Sequence, residues 1–220
     1  MAFPASSRGN PLSPQRTSSP TDNYGSITKK HPTLDSVILN AGIQRRVEFA
    51  DPESIDLSVI NLELTTNYLS YVHFTVALLP HLKSQSQSGP TSLIYTSSAL
   101  ALIPVPRCAN YCASKAALHQ LLLALRVQLK ASPSYSNIKV IEILPPAVQT
   151  ELHDQKHQPD IQDGRKIGMP LEEFTEQAWM GLLEGKEQIP VGLAEVAYER
   201  FEEKRQEMFG VMLERFGMKR

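Results

Sequence analysis

The chain has little of several things that would narrow its role at once. Only two cysteines, Cys108 and Cys112, and one tryptophan occur in 220 residues. So few cysteines exclude a disulfide-stapled scaffold. No pair of histidines stands near enough to them in sequence to complete a structural zinc site. A reduced, cytoplasmic protein is the expected setting. No apolar run approaches the ~20 residues needed to span a bilayer, and no apolar h-region marks a secretory signal. Charge of one sign is not in excess: 22 Lys and Arg face 23 Asp and Glu, for a net charge of −1. Nothing therefore calls for nucleic acid or an anionic membrane as partner. Glycine is scattered. Gly9, Gly25 and Gly42 are isolated, and none lies between an apolar strand and a helix, where a phosphate-cradling turn belongs.

What is there reads as one α/β domain. Residues 1–26 are rich in Ser and Pro and poor in branched apolar side chains. They cannot bury enough surface to offset their ordering entropy, so disorder is expected. Three apolar runs read as buried parallel strands: Leu34–Asn40, Ser92–Ser98 and Ile138–Leu144. Each ends in small, polar or turn-forming residues. Leu62–Lys83 reads as a helix stopped near Pro80. Asn110–Ala131 is a strong helix with Ala113, Ala116, Leu118, Leu121, Leu122 and Leu125 on its apolar side. Residues 51–58 and 84–90 read as polar connections. Leu171–Leu183 reads as a helix, Ile189–Gly192 as a last strand and Glu195–Met218 as a charged helix. The apolar residues of that helix, Phe201, Met208, Phe209, Met212 and Phe216, are expected in core or subunit interface. Residues 151–169 are polar and aperiodic, as a functional or mobile loop would be.

The chemistry concentrates at Tyr111-Cys-Ala-Ser-Lys115. A tyrosine and a lysine four apart share one helix face. A free phenol titrates near pH ~10 and is a poor proton shuttle at neutrality. A neighbouring ammonium would lower that value and fit the pair for carbonyl/alcohol interconversion. Taken alone, such a pair is more often a packed ring beside a solvated amine. Ser98 precedes Tyr111 by thirteen residues and falls at the carboxyl end of a strand, where ligands bind in open α/β sheets. His153 and His157 have the spacing of a metal pair but lack a helix and a glutamate between them, so no metal site is expected.

With these pieces in register, the chain resembles the short-chain dehydrogenase/reductase family. The matching segments are Asn40-Ala41-Gly42, Asn67 in a helix reaching Pro80, Ser98, Tyr111-x-x-x-Lys115, and Pro145-Pro146-Ala-Val148-Gln-Thr150. They cover roughly residues 25 to 200. The resemblance implies a Rossmann-like parallel sheet with flanking helices over 27–194, followed by a C-terminal helix over 195–220. It implies that Ser98, chosen over Ser97 by its spacing, holds the substrate oxygen. Tyr111 moves the proton, Lys115 lowers the phenol's pKa and holds the nicotinamide ribose, and Asn67 carries a water linking Lys115 to solvent. Asn40, Tyr111, Lys115, Val148 and Thr150 would contact the cofactor, NADP(H) in preference to NAD(H). The substrate would be a small-molecule carbonyl or alcohol, covered by residues 151–169 as a lid. Two copies would pair through the helices of Asn67 and Tyr111. The tail Met169–Gly192 resembles a subgroup of fungal and bacterial members, which implies fungal secondary metabolism as a setting.

The family's opening strand and Gly-rich turn have no counterpart here. The Rossmann-like fold is thus expected to be incomplete in its N-terminal half, by about 60–80 residues at average element lengths. Poor dinucleotide binding and an unpaired apolar sheet edge at Val37-Ile-Leu39 are expected with it. An alternative function follows: a catalytically inactive, truncated relative acting as a binding or regulatory partner.

Overall fold

The computed structural model describes residues 27–218, so the disorder expected of residues 1–26 lies outside the described residues. Four strands form one parallel sheet in the order β1 (Ser36–Leu39), β2 (Thr91–Thr96), β3 (Ile138–Leu144), β4 (Gln188–Pro190). Strand order equals chain order, and the strands run parallel because each crossover is helical. Between β1 and β2 run α1 (Leu57–Leu64) and α2 (Ser70–Gln85), joined by a π-turn over Thr65–Leu69. Between β2 and β3 lies α3 (Ala109–Ala131), and between β3 and β4 lies α4 (Leu171–Leu183). After β4 come α5 (Leu193–Ala197), a second π-turn over Tyr198–Glu202, and α6 (Glu203–Arg215). No helix among the described residues is long and apolar enough to cross a membrane.

The strands are apolar on both faces because both faces are covered. Leu93 and Tyr95 point to one side, where Tyr71, Leu82, Leu118 and Leu122 of α2 and α3 pack. Ile94, Ile141 and Ile143 point to the other, against Ala178 of α4 and Ile189.

Several expected elements change. Helix α2 does not stop near Pro80 but continues to Gln85. Pro80 is exposed, so water can satisfy the carbonyl that its missing N–H leaves behind. The first helix starts early, at Leu57, where the Asp56 carboxylate accepts from Ser58 N at 2.8 Å and caps it. The last strand is Gln188–Pro190. The α3 face is less apolar than expected: Ala113 is exposed, while Ser114, Lys115, His119 and Arg126 are buried. On the last helix, Met208, Met212 and Phe216 are exposed, and Glu202, Gln206 and Leu213 take the buried positions. Within the described sheet β1 is an edge strand, as expected, with Ile38 59% exposed.

Candidate active site

The site lies at the carboxyl ends of the strands. β2 ends at Thr96, and Ser98 then caps a 3-10 turn at Ala99–Ala101, its Oγ accepting from Leu100 N at 3.1 Å. This cap holds the hydroxyl at the sheet's rim. Tyr111 and Lys115 occupy the first two turns of α3, one above the other. Ser98, Tyr111 and Lys115 line one cavity of about 460 Å³, which Asn40, Val148 and Thr150 also line. The Ser98 hydroxyl hydrogen-bonds the Tyr111 phenol. Lys115 Nζ donates to the Thr96 carbonyl at 2.9 Å and stands 5.7 Å from the Tyr111 ring centre.

Asn67 does not line the cavity. It is fully buried in the first π-turn, where its side chain works as a clamp. Its Oδ1 accepts from Ile43 N at 2.9 Å, and its Nδ2 donates to Ile43 O at 2.8 Å and to Ser114 Oγ at 3.1 Å. The Tyr71 hydroxyl donates to Ala41 O at 2.7 Å. These bonds pin the segment after β1 against α3. A Cβ on Gly42 would stand 3.6 Å from both Asn67 Oδ1 and Lys115 Nζ, so this glycine brings backbone up to the lysine.

The electrostatics differ from the expectation in one respect. Burial pushes the Tyr111 phenol up rather than down, outweighing the Ser98 hydrogen bond. The reason lies in Lys115, which is only 2% exposed. Burial drives the lysine's own pKa down to about 8, with Glu142 opposing. Its ammonium faces the ring of Tyr111 across 5.7 Å and does not offset the burial of the phenol. Beneath the ring, the free thiols Cys108 and Cys112 stand with sulfurs 3.9 Å apart. Their mutual hydrogen bond lowers the Cys112 thiol and, with burial, raises that of Cys108.

Residues 151–169, read from sequence as a functional or mobile loop, are anchored at several points. Val148 bridges to Met169, and Met169 N donates to Ala147 O at 2.8 Å. Gly168 permits this approach: its φ is +91°, and a Cβ there would meet Ala147 O at 2.1 Å. Thr150 Oγ1 accepts from Leu152 N at 3.3 Å. Buried Gln158 donates to Gln44 Oε1 at 3.0 Å and to Leu152 O at 2.9 Å. Arg107 grips both Gln158 and Asp160, the latter at 2.6 Å. His153 and His157 line the cavity. Burial and Arg107 keep His153 neutral-leaning. Among the described residues, no group of three His, Cys, Asp or Glu side chains is placed to hold a metal ion.

Sequence reasoning missed two sets of residues. Arg45, with Leu171 and Phe174, joins the cavity wall. Behind the site, Glu142 and His119 form a buried charged contact at 2.9 Å. A glutamate inside the run Val140-Ile-Glu-Ile-Leu144 was the legible signal, since a buried carboxylate demands a partner.

The model of the short chain dehydrogenase family matches residues 16–160. The uncharacterized oxidoreductase DltE of Bacillus subtilis is 34% identical over 166 residues, covering 76% of this chain and 62% of that protein. The human dehydrogenase/reductase SDR family member 7 is 34% identical over 119 residues, 54% of this chain and 32% of that protein. The chain thus spans between a third and two thirds of these relatives' lengths. Among solved structures, a short chain dehydrogenase from Burkholderia cenocepacia in complex with NADP aligns with a TM-score of 0.68 at 21% identity, over 89% of this chain and 77% of that one. One from Burkholderia phymatum in complex with NAD aligns with a TM-score of 0.70 at 15% identity, over 86% and 72%. At these identities the alignments speak for the fold, a Rossmann-like parallel sheet. The matched stretch, carrying Ser98, Tyr111 and Lys115 to one cavity, makes the chain a member of the short chain dehydrogenase family.

Proposed function

We propose that this chain is an oxidoreductase that interconverts a carbonyl and an alcohol with NADP(H), or less readily NAD(H), as partner. The observation that carries this reading is the convergence of Ser98, Tyr111 and Lys115 on one cavity. The nicotinamide side of a dinucleotide fits the residues present. An ammonium has three N–H donors; one Lys115 bond goes to Thr96 O, leaving others for a ribose. Asn40, Val148 and Thr150 wall the same space. A bound nicotinamide would supply or accept the hydride at the substrate carbon. The chain's own work is at the oxygen. Ser98 would hold the substrate oxygen by its hydroxyl. Tyr111 would donate the phenolic proton as a carbonyl becomes an alcohol, and take it back in reverse. Lys115 would stabilise the phenolate left behind, and Asn67 would keep the wall beside Lys115 rigid. Among the described residues no Gly-rich turn faces the pyrophosphate side, which supports weak dinucleotide affinity for these residues alone.

The test is fluorescence titration with NADPH and NADH, followed by a panel of ketones and aldehydes. Saturable binding with turnover that Tyr111→Phe abolishes supports the reading. Turnover that survives Tyr111→Phe would overturn it. Pairing of two copies and a place in fungal secondary metabolism belong to the same proposal and rest on resemblance alone.

One observation favours a second reading, the binding partner. The β1 edge opens onto an apolar groove of about 380 Å³ walled by Ile27, Leu34, Val37, Ile38 and Phe74. An exposed apolar edge can accept an added strand. Concentration-dependent association that Ile38→Lys removes, in protein without turnover, would favour this reading over the first.

A further inference from the structure

The segment leaving β1 carries three polar residues in a row, Gln44, Arg45 and Arg46, and each has a different fate. Gln44 is 4% exposed and is held by Gln158 at 3.0 Å and Cys108 Sγ at 3.5 Å. Arg46 is exposed and pairs with Glu48 at 3.7 Å and Asp160 at 3.8 Å. Arg107, the other arginine beside this segment, also pairs with Asp160. Arg45 is the exception. It is half-buried and lines the cavity of Ser98, Tyr111 and Lys115, as well as a second cavity of about 420 Å³. Among the described residues its guanidinium forms no ion pair, and its one hydrogen bond runs from Nη1 to the Gln44 carbonyl at 2.8 Å. A guanidinium has five N–H donors and stays charged in proteins. Four donors and a full charge are therefore left over.

The carboxylate that feels this charge is Glu63 of α1, and it is committed elsewhere. Its Oε1 accepts from Arg45 N at 2.8 Å and its Oε2 from Asn110 Nδ2 at 2.6 Å, and burial pushes it toward the neutral carboxyl. The bond to Arg45 N fixes the main chain there, as the Asn67 clamp fixes it at Ile43. The arginine is thus positioned before any ligand arrives, which lowers the ordering cost of binding. The cavity suits an anion in its other charges too. Of its lining residues, Arg45 and Lys115 are the lysine and arginine, and Glu151 is the one acid. Leu152, Leu171 and Phe174 add apolar surface for a carbon skeleton.

We propose that Arg45 determines specificity at this site by receiving a carboxylate of the substrate, so that the substrate is an oxo acid, or the matching hydroxy acid, with its reacting oxygen at Ser98 and Tyr111. This names the substrate class of the proposed carbonyl/alcohol reaction and rests on that reading. A planar guanidinium meets a carboxylate through two parallel hydrogen bonds, so it fixes the direction of the molecule as well as its charge.

The experiment measures binding rather than turnover. The full chain, with and without NADP+, is titrated with pyruvate, levulinate and phenylglyoxylate, each beside its methyl ester, which keeps the ketone and removes the charge. At least one acid is expected to bind more tightly than its ester. Arg45→Met is expected to weaken that acid about 10- to 100-fold and to leave the ester unchanged. Arg45→Lys is expected to restore part of the difference, because it keeps the charge and loses the fork. Acid and ester bound equally, or neither bound, overturns the proposal, as does an acid preference that survives Arg45→Met. Weaker NADP+ binding by Arg45→Met with no effect on the acids would assign Arg45 to a cofactor phosphate and overturn it too. If Arg45→Met does not fold, the wild-type chain decides. Its Arg45 Nε–H resonance, assigned by its loss in Arg45→Lys, must shift with the acid and not with the ester, and a stationary resonance overturns the proposal equally. An acid bound through Arg45 but never reduced would uphold the site and sink the oxidoreductase reading. Tyr111-dependent reduction of neutral ketones without acid preference would do the reverse.

Discussion

One helix, α3, serves two buried polar regions, and they treat ionisable groups in opposite ways. At its N-terminal turns, Tyr111 and Lys115 are buried beside neutral partners. Burial then dominates, pushing the phenol up and the ammonium down to about 8. One turn later, His119 is as deeply buried but flanked by two carboxylates. There the pairing dominates, lifting His119 to about 9 and holding Glu202 near 2. Desolvation without a counter-charge brings proton-exchanging states within reach, whereas desolvation with one locks charges in place. The first region suits chemistry and the second suits architecture.

Removing one member from each region separates the two. Tyr111→Phe is expected to lower kcat/KM about 10²- to 10⁴-fold on any carbonyl that turns over, with little loss of stability, because the lost hydroxyl exchanges one bond to Ser98. His119→Ala is expected to do the reverse. It leaves Glu142 and Glu202 buried without their shared partner, which costs about 3–5 kcal/mol, read as a lower urea midpoint. If His119→Ala unfolds no more easily than wild type, the locked region is not locked.

The pH dependence of stability sharpens the same contrast. The His119 pKa is raised from 6.5 to about 9. Its stabilisation is full below about pH 6.5 and is lost as pH rises through about 9. Glu202 falls from 4.5 to about 2, so its stabilisation is full above 4.5 and is lost as pH falls through about 2. Lys115 has the opposite sign to His119. Its pKa drops from 10.5 to about 8, so its cost is full below 8 and is relieved as pH rises toward 10.5. Lys115→Met should therefore be more stable at pH 7 and decline more steeply above pH 8. Parallel urea-denaturation curves against pH for the two proteins would contradict this.

The smallest effect belongs to the surface. Arg107 and Asp160 are partly exposed, so Asp160→Asn is expected to cost no more than about 1 kcal/mol. It should raise hydrogen exchange in residues 154–163 without changing the Lys115 titration.

Much of this was readable in the chain. The runs around Leu93 and Ile141 are apolar at every position because both faces of a parallel sheet are covered, and three of the four strands were recognisable from that alone. Ser98, Tyr111 and Lys115 were legible because their spacings are local: a strand end, a turn and two helical turns. The anchoring of residues 151–169 was not legible. It depends on Gln158 meeting Gln44 and Arg107, far apart in sequence, and polar side chains announce no partner. Which side of the last helix is buried was not legible for a related reason. Its buried side is set by Glu202, which reaches His119, and by Gln206, which holds Glu202, so Met208 and Phe216 face outward.

By itself, then, the sequence determined the class of fold, the run of its elements and three residues, Ser98, Tyr111 and Lys115, that line one cavity, because these follow from periodicity and short spacings. Tertiary structure alone decided which charges are buried together. Glu142, His119 and Glu202 lie 23 and 83 residues apart along the chain. Only the packing of β3, α3 and the C-terminal helix sets the distance and the dielectric between them.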